Sequence, residues 1–455
     1  MTRKIRRLLV ANRGEIAARV ARTAKARGLE VAVLRHSAEE EGPAHALADQ
    51  VVTIEGAPPV AAYLDIPQIV AAADRAGADA VHPGYGFLSE NAAFARALDT
   101  AGLIFVGPTA EVIDLMGDKV RARAFVAERG FPVAPSAIED DDPASFIARA
   151  RAVGYPLLIK PSAGGGGKGM RIVREDEVLA AEIETARREG QRYFGDGRLF
   201  VERYIERPRH IEVQVMGDGR GNVVHFWERE CSIQRRFQKI VEESPSPGLL
   251  PEARAAMSRA AVALARQERY RSAGTIEFVL DDDTGAFYFL EMNTRIQVEH
   301  PVTEMLTGLD LVGMQLRLAM GEHFGAGLTQ DHVTRNGHAI EVRICAENPD
   351  KMFLPSPGRI TRLVLPEGEG VRVDTGVRDG DTVTPHYDSM IAKLIVHGPD
   401  REAAIARMGA ALDGTVVEGI TTNIAFLRRV MNHEAFRLGR TLTSFVDTYK
   451  TDLIG

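Results

Sequence analysis

The chain has 455 residues, 45% of them hydrophobic and 26% charged, and a formal net charge of −7. That length allows more than one core, and the mild acidic balance argues against a nucleic-acid binder, which carries a basic surplus on one face. Only two cysteines occur, Cys231 and Cys345, without CxxC spacing, which argues against a disulfide framework or a structural zinc site.

From the start, Met1 to Arg7 is basic and runs directly into Leu8-Leu9-Val10-Ala11. The apolar run is too short for a signal h-region, and no stretch of about 18 apolar residues exists. The expected location is the cytoplasm, with two reduced core thiols. Asn12-Arg13-Gly14 reads as a turn, and Ile16, Ala17, Val20, Ala21 and Ala24 follow at helical spacing. Gly28 ends that helix, and Val31-Ala32-Val33-Leu34 is the next strand. Ala80-Val81-His82 and Ile104-Phe105-Val106 continue the pattern. Strands separated by helices predict a parallel, doubly wound sheet over residues 1–115. The first turn lacks GxGxxG, so the shape is expected without a dinucleotide site.

A second unit begins near Phe131-Pro132 and ends near Ile205. In it, Pro156 to Lys160 and Met170 to Val173 flank a glycine tract, which predicts a hairpin flap. Lys160-Pro161-Ser162-Ala163-Gly164-Gly165-Gly166-Gly167-Lys168-Gly169-Met170 joins mobile backbone to two lysines. Successive backbone N–H groups can cradle an anion, and lysine adds a point charge. It is not a Walker A loop, because Gly169 follows Lys168 where Ser or Thr is required.

From about residue 206 the pattern becomes α+β. Gly274 to Leu280 is an apolar strand containing Glu277, and Phe287 to Asn293 follows after a turn. Glu291 and Asn293 are two apart and share a face. Acids amid apolar residues are costly unless compensated. Two carboxylates and an amide oxygen are hard ligands suited to Mg²⁺. Glu291, Asn293, Arg295, Gln297 and Glu299 then occupy alternate positions. If the segment stays extended, they line one face and suit a small anionic substrate, with Arg295 holding its charge and Glu299 taking its proton. Glu230 to Lys239 is dense in cationic and amide groups. His82 to Asn91 makes a rigid loop after a strand end, where open α/β sheets place ligands.

Together these segments resemble the biotin carboxylase family. The matching stretches are Ala11 to Ile16, His82 to Asn91, Met116 to Lys119, Lys160 to Met170, Glu230 to Glu243 and Glu291 to Thr307. Phe353 to Gly358 and Tyr387 to Met390 also fit. The resemblance spans essentially the whole chain. It implies an ATP-grasp fold, α/β and α+β: a doubly wound, Rossmann-like N-terminal domain (1–115), a linker and mobile lid (116–205), a catalytic core (206–330) and a C-terminal α+β domain (331–455).

By the same resemblance, Lys119 and Lys160 bind ATP phosphates, with Gly165, Gly166, Gly167 and Met170 in the flap and His210 and Gln234 nearby. Glu202 and Ile205 meet adenine. Glu277, Glu291 and Asn293 hold two Mg²⁺ or Mn²⁺ ions. Lys239, Arg295, Gln297 and Val298 hold bicarbonate, and Glu299 deprotonates it. Tyr85 and Gly86 border biotin, and Arg343 stabilises its enolate. The implied reaction is ATP-dependent carboxylation of biotin on a carrier protein, as the first half-reaction of acetyl-CoA carboxylase in fatty acid synthesis. Propionyl-CoA, methylcrotonyl-CoA and pyruvate carboxylases are the alternatives, followed by another ATP-grasp ligase and a non-catalytic nucleotide-binding regulator.

The implied partners are a biotin carboxyl carrier protein, carboxyltransferase subunits and a second copy of the chain, with no nucleic acid and no membrane. No Ala-Met-Lys-Met type segment occurs, so biotin is expected on another protein or on a missing C-terminal part. Two departures stand out. Pro161 stiffens the entry to the flap, which is expected to alter closure kinetics. Phe237 stands where many members have His or Asn, so one polar contact to the nucleotide is expected to be missing.

Overall fold

The computed structural model describes residues 4–139, 142–161, 170–194, 196–324 and 327–454, without the side chains of residues 119, 120, 143, 144, 193 and 194. The β-branched and leucine-rich runs near the N-terminus pair as a five-stranded sheet, in the order Gln50–Ile54, Glu30–His36, Arg7–Val10, Ala80–His82, Ile104–Phe105. All four pairings are parallel. Such sheets are covered on both faces, which is why the strands read as unbroken apolar runs. Val10, Val31 and Val33 pack one face with the helix Gly14–Ala26, while Leu9, Ala32 and Leu34 pack the other with the helix Ile66–Ala76.

The strand order reverses between Arg7–Val10 and Ala80–His82, and loops leaving the carboxyl ends at such a switch point open a crevice. Asn12 closes this one by donating to the carbonyls of Pro83 at 2.7 Å and Tyr85 at 2.8 Å. Gly84 has φ +62°, and a Cβ there would meet the Asn12 amide nitrogen at 2.9 Å. Only glycine fits so close to the clamp.

An eight-stranded sheet carries the rest of the chemistry. Its order is Phe287–Asn293, Arg271–Asp281, Pro208–Asp218, Val223–Arg235, Gln238–Ser244, His338–Cys345, Met390–Gly398, Val371–Thr375. One face of its C-terminal half packs Ile340, Val342, Ile344, Leu394 and Val396 against the helices Arg401–Gly414 and Ile424–Asn432. The other face carries charged residues at the alternate positions, among them Glu341 and Arg343.

The contacts group the chain into two units: residues 1–125, 209–278 and 290–455, and residues 126–208 with 279–289. The second has a four-stranded sheet, ordered Ser136–Ile138, Leu199–Arg203, Leu157–Pro161, Arg171–Val173. Leu157–Pro161 and Arg171–Val173 pair antiparallel, as the flap reading requires. Phe146, Leu179 and Ile183 from the helices Pro143–Val153 and Asp176–Phe194 complete its core.

Candidate active site

The first unit contains a cavity of about 970 Å³. Its walls come from the two crevice loops, through Asn12 and Tyr85, and from the eight-stranded sheet, through His210, Lys239, Glu277 and Arg343. The hairpin segment adds Glu291, Asn293, Arg295, Gln297, Val298 and Glu299.

Lys239 is the hub of this wall. Its ammonium donates to Glu212 at 2.5 Å, to Glu277 at 2.8 Å and to Glu299 at 2.8 Å. Arg343 reaches the other oxygen of Glu299 at 3.0 Å and holds Glu242 through its Nε at 2.7 Å. Behind them, fully buried Arg229 donates to Glu212 at 2.5 Å and to Gln214 at 2.9 Å. Arg295 donates to Glu90 at 2.9 Å, Gln297 at 2.6 Å and Asn293 at 2.8 Å. Glu277 accepts from Asn293 at 2.8 Å and Gln297 at 3.0 Å, and His210 Nε2 lies 2.8 Å from its second oxygen.

These contacts set the charge states. Burial pushes the Glu299 carboxyl up, but Lys239 and then Arg343 override it and hold the group well below the usual carboxylate range. Glu277 behaves alike, with burial opposed by Lys239 and His210. Burial works against the Lys239 ammonium, and Glu212, Glu277 and Glu299 more than offset it. The wall therefore presents ionised carboxylates and permanent cations in fixed positions before any substrate arrives.

Every residue assigned to bicarbonate or biotin lines this one cavity: Lys239, Arg295, Gln297, Val298, Glu299, Arg343, Tyr85 and Gly86. So do His210, Gln234 and the three metal candidates Glu277, Glu291 and Asn293. Those three supply oxygen donors only, two of them anionic, a set that fits a hard divalent cation. Lys160, Met170, Glu202 and Ile205 belong to the second unit, where Lys160 pairs with Glu202. Gly165, Gly166 and Gly167 lie outside the described residues, as does the side chain of Lys119.

The condition for one polar face is not met after Asn293. The strand ends there, and a bend at Arg295 and a turn at Val298 and Glu299 follow. Glu299 sits at the N-cap of the helix His300–Thr307, whose second residue is Pro301. Proline is preorganised for a first helical turn, and this turn breaks the alternation. Val298, expected between the polar positions, therefore also lines the cavity, and its carbonyl accepts from Lys393 at 2.8 Å. The polar groups converge around a bend, not along a flat strand face.

Sequence reasoning missed Glu212, Arg229 and Glu242. The alternation of His210, Glu212 and Gln214 among Ile211, Val213 and Val215 was the available signal. Phe237 lies 80% exposed at the cavity lip, in a turn where Arg236 and Phe237 both have positive φ. Cys231 and Cys345 are buried free thiols, each held above its usual range chiefly by burial.

Comparison with known proteins finds relatives along nearly the whole chain. "Biotin carboxylase, N-terminal domain" matches residues 4–113, "Carbamoyl-phosphate synthase L chain, ATP binding domain" residues 118–326, and "Biotin carboxylase C-terminal domain" residues 341–448. The Haemophilus influenzae protein named biotin carboxylase is 46% identical over 97% of this chain and 98% of its own length. The methylcrotonoyl-CoA carboxylase alpha subunit of Glycine max is 47% identical over 99% of this chain, which spans 61% of that longer protein. A solved biotin carboxylase domain dimer of Hydrogenobacter thermophilus 2-oxoglutarate carboxylase, in complex with MgADP, ADP and bicarbonate, is 44% identical. It superposes with a TM-score of 0.90, covering 100% of this chain and 99% of that one. The fold and the matched segments define an ATP-grasp ligase. The chain belongs to the biotin carboxylase family.

Proposed function

We propose that the chain carboxylates biotin on a carrier protein, using ATP and bicarbonate. The observation that carries this reading is Glu299, a buried carboxylate held ionised between Lys239 and Arg343 on a cavity wall that also presents Arg295 and Gln297. Bicarbonate needs cations and an amide to hold it and a base to take its proton. In this proposal Lys239, Arg295, Gln297 and the Val298 amide hold the anion, and Glu299 removes the proton. The freed oxygen attacks the γ-phosphorus of ATP, giving carboxyphosphate and ADP. Carboxyphosphate separates into CO₂ and phosphate, and phosphate takes the ureido N–H proton of biotin. Arg343 stabilises the enolate that results, with Tyr85 and Gly86 beside the ring, and the ureido nitrogen then attacks CO₂.

Glu277, Glu291 and Asn293 would hold Mg²⁺ or Mn²⁺, which draws negative charge from the phosphate oxygens when bound. His210 and Gln234 in the first unit, and Lys119, Lys160, Gly165, Gly166, Gly167, Met170, Glu202 and Ile205, are proposed nucleotide contacts. The test is phosphate release from ATP with Mg²⁺ and bicarbonate, with and without biotin. Release that depends on bicarbonate and rises with biotin is expected. Hydrolysis indifferent to biotin and to a biotinylated carrier would move the assignment to another ATP-grasp ligase.

For the final acceptor we propose acetyl-CoA, through a carrier protein and separate carboxyltransferase subunits. The name of the H. influenzae relative, biotin carboxylase, gives the first half-reaction and no acceptor. A methylcrotonoyl-CoA carboxylase subunit and a 2-oxoglutarate carboxylase domain are similarly identical, so acetyl-, propionyl- and methylcrotonyl-CoA, pyruvate and 2-oxoglutarate must be compared in a reconstituted assay. We also propose a homodimer, as the H. thermophilus domain forms; light scattering reads the mass directly. The proposed location is the cytoplasm. Among the described residues no helix is long and apolar enough to cross a membrane.

A further inference from the structure

The strand His338–Cys345 carries Glu341 two residues before Arg343, so both side chains leave the same face of the sheet. Glu341 is fully buried, and neither of its carboxylate oxygens has a hydrogen-bond partner among the described residues. Its register partner on the strand Gln238–Ser244 is another acid, Glu242. One oxygen of Glu242 holds Arg343, and the other has no hydrogen-bond partner among the described residues. Two neighbouring carboxyls removed from water cannot both ionise without a large penalty.

The surrounding groups do not remove that penalty. Lys393, from the strand Met390–Gly398, lies 3.1 Å from Glu15 and donates to the Val298 carbonyl. Tyr85 donates to Glu15 from the crevice loop. On the helix His300–Thr307, Glu304 is committed to Arg19 and Arg372. His300 on the same helix is kept neutral by burial, reinforced by Lys393. Glu299 already occupies Arg343 and Lys239. The helix Arg401–Gly414 packs on the opposite, apolar face of the sheet.

We propose that Glu341 is a positioning residue for the biotin step: it remains a neutral acid, so the pair with Glu242 holds one proton between them, and Arg343 meets a single negative charge at its rear while its Nη2, which also lies against Glu242, stays on Glu299. The inference rests on the assignment of Arg343 to that step. Burial pushes Glu341 well above the carboxylate range, with Lys393 opposing, and pushes Glu242 to about 7, with Arg343 opposing. The two titrate as a pair. An ionised Glu341 would add a second charge behind Arg343 and draw the guanidinium off Glu299.

The test is Glu341→Gln, which keeps the shape and fixes the neutral state, with Glu341→Asp as the variant that restores an acid. Glu341→Gln should carboxylate biotin within about threefold of the parent near neutral pH, and its KM for biotin should rise less on the alkaline side. Glu341→Asp should regain the alkaline rise. A folded Glu341→Gln enzyme about a hundredfold slower at every pH, or one with the parent's pH profile, would overturn the proposal. Melting temperature gives a readout independent of turnover. A raised folded-state pKa contributes stability that is complete below the unfolded value and lost as pH rises through the folded one. The Tm advantage of Glu341→Gln over the parent should therefore grow from about pH 5 to about pH 8. A gap that does not change with pH also overturns the shared proton. Absence of biotin-dependent turnover in both proteins would instead sink the proposed reaction, while the melting series still decides the protonation.

Discussion

The two units use charge in opposite ways. In the first, Glu212, Glu277, Glu299 and Arg229 are buried, Lys239 and Arg343 are mostly so, and all six join one network. In the second, Arg171 pairs with Glu182 and Glu189, and Arg151 with Asp176, all on half-buried or exposed surface. Lys160, 26% exposed at its side chain, pairs with Glu202. Water screens a pair as exposed as Arg151 with Asp176 and leaves it worth little. A buried network is costly to assemble and costly to break. The contrast teaches where rigidity is spent: on the wall that must hold a small anion and a base in register, not on the unit that carries the flap.

Substitutions in the two units sharpen this contrast. The largest expected effect is on chemistry. Glu299→Gln should lower bicarbonate-dependent phosphate release by about a thousandfold, in the middle of the range for loss of a general base, while ATP binding measured by calorimetry changes little. Strongly impaired ATP binding would remove Glu299 from the base role. The pH sign follows from its lowered carboxyl: its contribution to stability is present above the unfolded value of about 4.5 and is lost only as pH falls through the lower folded one.

Next comes Arg343→Ala, which should slow biotin carboxylation by about a hundredfold and spare bicarbonate-dependent ATP hydrolysis by comparison. Equal damage to both would count against the enolate role. On stability, Lys239→Met leaves three buried acids without their shared cation and should cost about 3–5 kcal/mol in urea unfolding, whereas Lys160→Met should cost less than about 1 kcal/mol and act on ATP affinity instead. Similar losses for the two would erase the contrast between the units. The smallest effect is expected for Phe237→His, a few-fold tightening of ATP binding; an unchanged Kd would make that residue neutral.

Much of this arrangement was readable in the residues. The parallel sheet followed from apolar runs alternating with helical periodicity, because burial on both faces leaves little room for polar residues. Glu277, Glu291 and Asn293 stood out as polar groups inside otherwise apolar strands, and the structure brings them to one wall. The conformation after Asn293 stayed open, because alternation alone does not distinguish an extended strand from a turn entering a helix. The signal was Pro301, just inside that helix. Glu212, Glu242 and Glu341 were harder to see. Glu212 and Glu341 alternate with apolar neighbours, as a half-exposed strand residue would, Glu242 sits between Val241 and Glu243, and only the assembled sheet shows that both faces are covered. Their role depends on partners far away in the chain, such as Arg343 for Glu242, which local pattern cannot supply.

The buried thiols have a practical consequence. Cys231 is fully buried and Cys345 nearly so, and their raised pKa values keep them largely as thiols near neutral pH. Maleimides react with the thiolate of an accessible cysteine, so the folded protein should be nearly silent towards them. A cysteine introduced at exposed Phe237 would then take up a fluorophore selectively. Such a label would make the rim of the cavity optically addressable while both native cysteines stay in place.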